Sequence, residues 1–129
     1  MLTGHAASVG LSHCDGKAEY LVTSDQTLLL ADSPGTPDES RLMFNGLHCG
    51  KQSLRDWYVA SGNEIPVNRL FADGVPRSRW PRPAPLPPQT LPLMRDLYRS
   101  LSETWTGDRH WGGPDLAAST QAVAEFLNR

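Results

Sequence analysis

Seven of the eleven prolines fall between residues 76 and 92, within the run VPRSRWPRPAPLPPQTLP that starts at Val75. Nothing else in the chain restricts the fold as firmly. Each proline holds φ at about −65° and lacks a backbone N–H, so the segment is barred from a sheet centre and from a helix interior. It runs extended, as polyproline II or as a loop hugging the rim of the domain. The sequence therefore predicts a proline-rich crossing loop over 75–90 that separates a strand-rich first part from a helical end.

Before that loop, short apolar runs alternate with turn residues. SVGLSHC is followed by Asp15-Gly16, KAEYLVTS by Asp25-Gln26, and TLLLADS by the loop PGTPDES and a further run, RLMFNGL, at 41–47. Asp-Gly between two strand-like runs signals a hairpin, because both central positions of a type I′ turn need positive φ. An antiparallel meander with a turn at Asp15-Gly16 is expected. Helical spacing follows. Ser53 and Asp56 have capping-box spacing, and Leu54, Trp57 and Tyr58 predict a helix over 53–61 closed by Gly62. Met94, Leu97, Tyr98, Leu101 and Trp105 recur at three and four, predicting an amphipathic helix over 91–105 with Pro92 in its first turn. Leu116, Thr120, Val123, Ala124 and Leu127 form a stripe that predicts a helix over 115–128. The fold class expected is α+β, a small antiparallel sheet of about four strands packed by two to three helices.

A length of 129 residues suits a single domain over 1–129. The net charge is −2, but residues 1–40 hold six acids and one base while residues 41–100 hold nine bases and four acids. Parts of one fold that attract each other account for this most simply. Ten of the twelve cations are Arg, with Lys17 and Lys51 the only lysines, a bias that suggests a GC-rich bacterial coding sequence. No run of about 18 apolar residues is present, and the opening MLTGHAASVG lacks a basic start, so neither a membrane span nor a signal peptide is expected. A cytoplasmic protein with reduced thiols follows.

Both cysteines stand directly after a histidine, in GLSHCDGK and GLHCGK. His13, Cys14, His48 and Cys49 would supply two nitrogen and two sulfur ligands to zinc, or a cysteine nucleophile with a histidine base. Strand geometry argues against both readings. Adjacent side chains on a strand point to opposite faces, so neither pair reaches one ion or one reacting atom without a bulge or turn. The expectation is inert thiols, no metal and no cofactor.

Arg77, Arg79, Trp80 and Arg82 interleave cations with an aromatic ring, the composition of a surface that pairs phosphates and stacks a base. A pI of about 6.0 speaks against nucleic acid. Those four residues are instead the expected protein-binding surface. Arg82 to Pro88 matches the R-x-x-P-x-x-P spacing of polyproline ligands, but proline-rich stretches produce it by chance, and a spacer or a loop covering the domain's own surface is the favoured reading. No phosphate-binding glycine loop, G-x-S-x-G elbow, H-E-x-x-H pair or EF-hand loop is present. The sequence reading is a non-enzymatic cytoplasmic binding protein, a regulator, adaptor or accessory subunit, with a protein partner, no membrane and room for a homodimer. The alternative is a small enzyme or small-molecule binder whose pocket is lined by Trp57, Tyr58, Trp105 and Trp111, with a His-Cys pair at its rim.

Overall fold

Strand pairing joins residues distant in sequence. In a computed structural model that describes residues 1–127, β1 (Ser12–Gly16) pairs antiparallel with β4 (Ser40–Phe44), setting Ser12 opposite Met43 and Gly16 opposite Ser40. A bulge interrupts the register between His13 and Asp15. β4 then turns into β5 (Leu47–His48) through Asn45 and Gly46, with φ of 47° and 80°. Positive φ at both loop residues is the type I′ requirement, and Asn-Gly meets it. The three-stranded sheet has the order β1-β4-β5.

β2 (Tyr20–Val22) and β3 (Leu28–Leu30) form a second, two-stranded sheet. The Lys17 N–H bond to the Glu39 carbonyl continues the β1–β4 ladder, and the Ala31 N–H bond to the Glu19 carbonyl continues the β2–β3 ladder, each at 2.8 Å. Thr23 closes the β2–β3 turn: its hydroxyl oxygen accepts the Thr27 N–H at 3.0 Å.

Two strand expectations are corrected here. Asp15-Gly16 is not a turn but the end of β1, because Asp15 is held opposite Arg41 by the long-range ladder. The run 41–47 is not one strand, since the Asn45-Gly46 turn divides it.

Among the described residues, five α-helices complete the α+β fold: α1 (Leu2–Ser8), α2 (Gln52–Ala60), α3 (Val67–Ala72), α4 (Thr90–Thr106) and α5 (Leu116–Leu127). The last part of the helix expected over 115–128 lies outside the described residues. At α2 the expected Ser53 cap is absent. Lys51 is the N-cap, and the Ser53 hydroxyl donates to the His48 carbonyl at 3.1 Å. α4 ends at Gly107, whose φ of 78° suits glycine.

The core lies between the sheet and the α4–α5 pair, with Leu97, Leu101 and Val123 from α4 and α5, Ala6 from α1, and Leu11, Leu42 and Cys49 from the strand side. Gly113 lets the chain pass close to α4, because a Cβ there would lie 2.8 Å from the Ser100 nitrogen. Over 75–90 a single 3-10 turn at Arg77–Arg79 gives way to extended chain, pinned where the Tyr58 hydroxyl donates to the Ala84 carbonyl at 2.8 Å. Among the described residues no helix is long and apolar enough to cross a membrane.

Candidate anion-binding cleft

Four cationic side chains converge where the end of β1, the 34–39 loop, β4 and the start of α2 meet. Lys17, Arg41, Lys51 and Arg55 line a cleft of about 380 Å³ together with Asp15, Asp38, Glu39, Ser40 and His48. Two of the cations are committed within the fold. The β1–β4 register brings Arg41 to Asp15, and its Nε donates to Asp15 Oδ1 at 2.7 Å while a terminal nitrogen grips Oδ2. That hydrogen bond holds the Asp15 carboxyl below its ordinary pKa and raises that of Arg41. Lys17 pairs with Glu19 and lies 3.9 Å from Glu39.

Lys51 and Arg55 differ. Neither forms an ion pair with a described residue. They stand four residues apart at the start of α2, where the helix dipole adds positive potential. Like charges at this spacing repel by roughly 0.2–0.5 kcal/mol, a cost that an anion held between them would remove.

Ser40 adds a donor. It lines the cleft and is 5% exposed, and its buried hydroxyl has no hydrogen-bond partner among the described residues. A buried hydroxyl left unpaired costs about 1–3 kcal/mol. Two glycines keep the surroundings open. A Cβ at Gly16 would stand 2.7 Å from Ser40 Oγ and 3.1 Å from His13 Nε2, and one at Gly50 would stand 2.6 Å from the Pro37 carbonyl oxygen. The cleft wall is anchored from α4, where the Tyr98 hydroxyl donates to Asp38 Oδ1 at 2.9 Å. Burial, reinforced by Asp38, raises the Tyr98 pKa and keeps that proton in place.

The His-Cys pairs do not assemble. Among the described residues no three His, Cys, Asp or Glu side chains are placed to hold a metal ion. Both thiols are free, Cys14 exposed at the β1 bulge and Cys49 fully buried. Burial pushes the Cys49 thiol up to about 12, which leaves it protonated and unreactive at neutral pH. His13 Nδ1 lies 3.0 Å from the Thr3 hydroxyl, and His48 Nε2 lies 3.9 Å from Asp56.

None of Arg77, Arg79, Trp80 and Arg82 lines the cleft. They form a local turn in which Trp80 Nε1 donates to the Val75 carbonyl at 2.8 Å and the Arg77 guanidinium lies 5.7 Å from the Trp80 ring centre. The tryptophans expected to share one pocket do not. Trp105 lines an apolar cleft of about 330 Å³ with Tyr98 and Leu101, whereas Trp57 lines a smaller one beside His48. The sequence did carry a sign of the cation cleft. Its only two lysines each follow a glycine, at Gly16-Lys17 and Gly50-Lys51, and both line it.

The fold and this cleft define an α+β protein with four cationic side chains gathered in one cleft. More than half of the chain, residues 1–68, matches the SAICAR synthetase family, and the chain belongs to that family. It is 29% identical over 127 residues to an Archaeoglobus fulgidus protein provisionally named phosphoribosylaminoimidazole-succinocarboxamide synthase, covering 98% of this chain and 38% of that protein. It is 26% identical over 116 residues to the phosphoribosylaminoimidazole-succinocarboxamide synthase of Thermoplasma acidophilum, covering 84% of this chain and 38% of the relative. The chain thus spans 38% of the length of these two curated relatives. Membership of an enzyme family overturns the expectation of a non-enzymatic regulator or adaptor defined by protein interaction. These relatives are archaeal, against the bacterial source inferred from the Arg-rich cation set.

Proposed function

We propose that this chain takes part in a SAICAR synthetase reaction and that its cation cleft holds the phosphate of a phosphoribosylaminoimidazole ligand. The observation that carries this reading is that Lys51 and Arg55, which have no ion-pair partner among the described residues, line one cleft with Ser40, whose buried hydroxyl has no hydrogen-bond partner among them. The compound in the relatives' name bears a phosphate and a succinyl group. A phosphate monoester carries about −1.5 to −2 charges at neutral pH and three acceptor oxygens. It therefore satisfies the two free cations and the hydroxyl together.

The roles follow from side-chain chemistry. Lys51 supplies a compact charge and Arg55 a planar fork of donors suited to two phosphate oxygens. Arg41, oriented by Asp15, lines the cleft beside them. Ser40 donates from the floor. We also take the chain to act in the cytoplasm, because a charged phosphate ester does not leave through a bilayer.

Titration calorimetry with phosphoribosylaminoimidazole-succinocarboxamide tests the proposal. The wild-type chain is expected to bind, and Lys51→Ala combined with Arg55→Ala to weaken binding by at least about a hundredfold, each charged hydrogen bond contributing roughly 1.5–3 kcal/mol. Absence of wild-type binding, or unchanged affinity in the double variant, overturns it.

A further inference from the structure

β2 and β3 consist wholly of apolar residues, and all six side chains are between 49% and 65% exposed. Tyr20 opposes Leu30, Leu21 opposes Leu29 and Val22 opposes Leu28. Side chains alternate along a strand, so Tyr20, Val22, Leu28 and Leu30 share one face and Leu21 and Leu29 the other. Both faces of the ribbon are therefore apolar and open to solvent. A strand covered on one side alternates apolar with polar residues, whereas an unbroken apolar strand belongs to a sheet buried between two layers. A lone two-stranded hairpin is marginal in water, and exposed apolar surface of this kind marks an interaction site.

A second copy of the chain does not fit the need. Pairing edge to edge leaves both faces in water, and packing face to face leaves the opposite face there. Covering both faces takes additional polypeptide on two sides. The family supplies it: the matched part is 38% of each of the two relatives' lengths, so most of a family member's chain lies outside the part that corresponds to this one. We infer that the β2–β3 ribbon seats the SAICAR synthetase polypeptide lying outside this matched part, which packs on both of its faces. The inference rests on family membership and is independent of the phosphate assignment.

The test combines this chain with the part of the Archaeoglobus fulgidus relative that lies outside the match, followed by sedimentation velocity. A one-to-one complex is expected, with Leu21→Lys/Leu29→Lys and Val22→Lys/Leu28→Lys each weakening it by about tenfold or more, since each buries charge at the contact. No complex with the folded partner segment, a complex indifferent to both variants, or a homodimer that the variants dissociate would overturn the inference. If the partner segment does not fold alone, amide exchange in the intact relative decides. Amides aligned with β2 and β3 are expected to exchange about a hundredfold or more slowly there than in this chain, and equal rates refute the seat. Ligand affinity of this chain, measured on the same ribbon variants, is expected to be unchanged, so loss of the complex and failure of the cleft read out separately.

Discussion

Glu103 shows how one carboxylate organises a connection. It is 8% exposed, and its Oε1 accepts the backbone N–H groups of Trp111 at 2.9 Å and Gly113 at 3.3 Å, closing the segment between α4 and α5. Burial by itself raises its pKa, but these N–H donors and the nearby Arg109 outweigh that and hold it below the ordinary value. A carboxyl whose pKa is lowered on folding contributes stability that is present above its unfolded pKa and is lost as pH falls through its native one. Glu103→Gln should therefore lower the urea midpoint at neutral pH, with the gap to wild type narrowing as the pH is brought down through the carboxylate range. A gap that stays constant with pH refutes this role. At the same scale, the stretches GLSHCDGK and GLHCGK stand out for their His-Cys pairs, which the fold does not bring together, while the lysines that end them both line the cleft. Residue chemistry is legible from residue type. Convergence was not, because it depends on the β1–β4 register and on where α2 begins.

Elements were legible in proportion to their periodicity and length. α4 and α5 emerged nearly to the residue because each carries a sustained apolar stripe that the other buries. α1 and α3, at seven and six residues, are too short to persist on local propensity and depend on tertiary contact, so no stripe announced them. The hairpin rule held in kind but at another place: Asn45-Gly46 makes the tight turn, while Asp15-Gly16 extends β1. If the α4–α5 pair with the sheet is the stabilising layer, fully buried Leu97 is its most sensitive position. Leu97→Ala should cost about 2–5 kcal/mol in chemical unfolding, and a loss below about 1 kcal/mol would show that the helix pair is not the core.

For the whole molecule, the charge division of the sequence acquires a location. Asp15, Asp38 and Glu39 from the first forty residues and Arg41, Lys51 and Arg55 from those after them line the same cleft, where Asp15 holds Arg41. The α+β class was legible because strand-like and helical patterns are segregated along the chain. The enzymatic family was not, since a chain that spans only 38% of its relatives' length carries none of the familiar catalytic motifs. The most direct measurement is a crystal structure of the chain with phosphoribosylaminoimidazole-succinocarboxamide bound. The account predicts the phosphate within hydrogen-bonding distance of Lys51 Nζ, the Arg55 guanidinium and Ser40 Oγ. A phosphate bound away from this cleft, with those three groups left free, would contradict it.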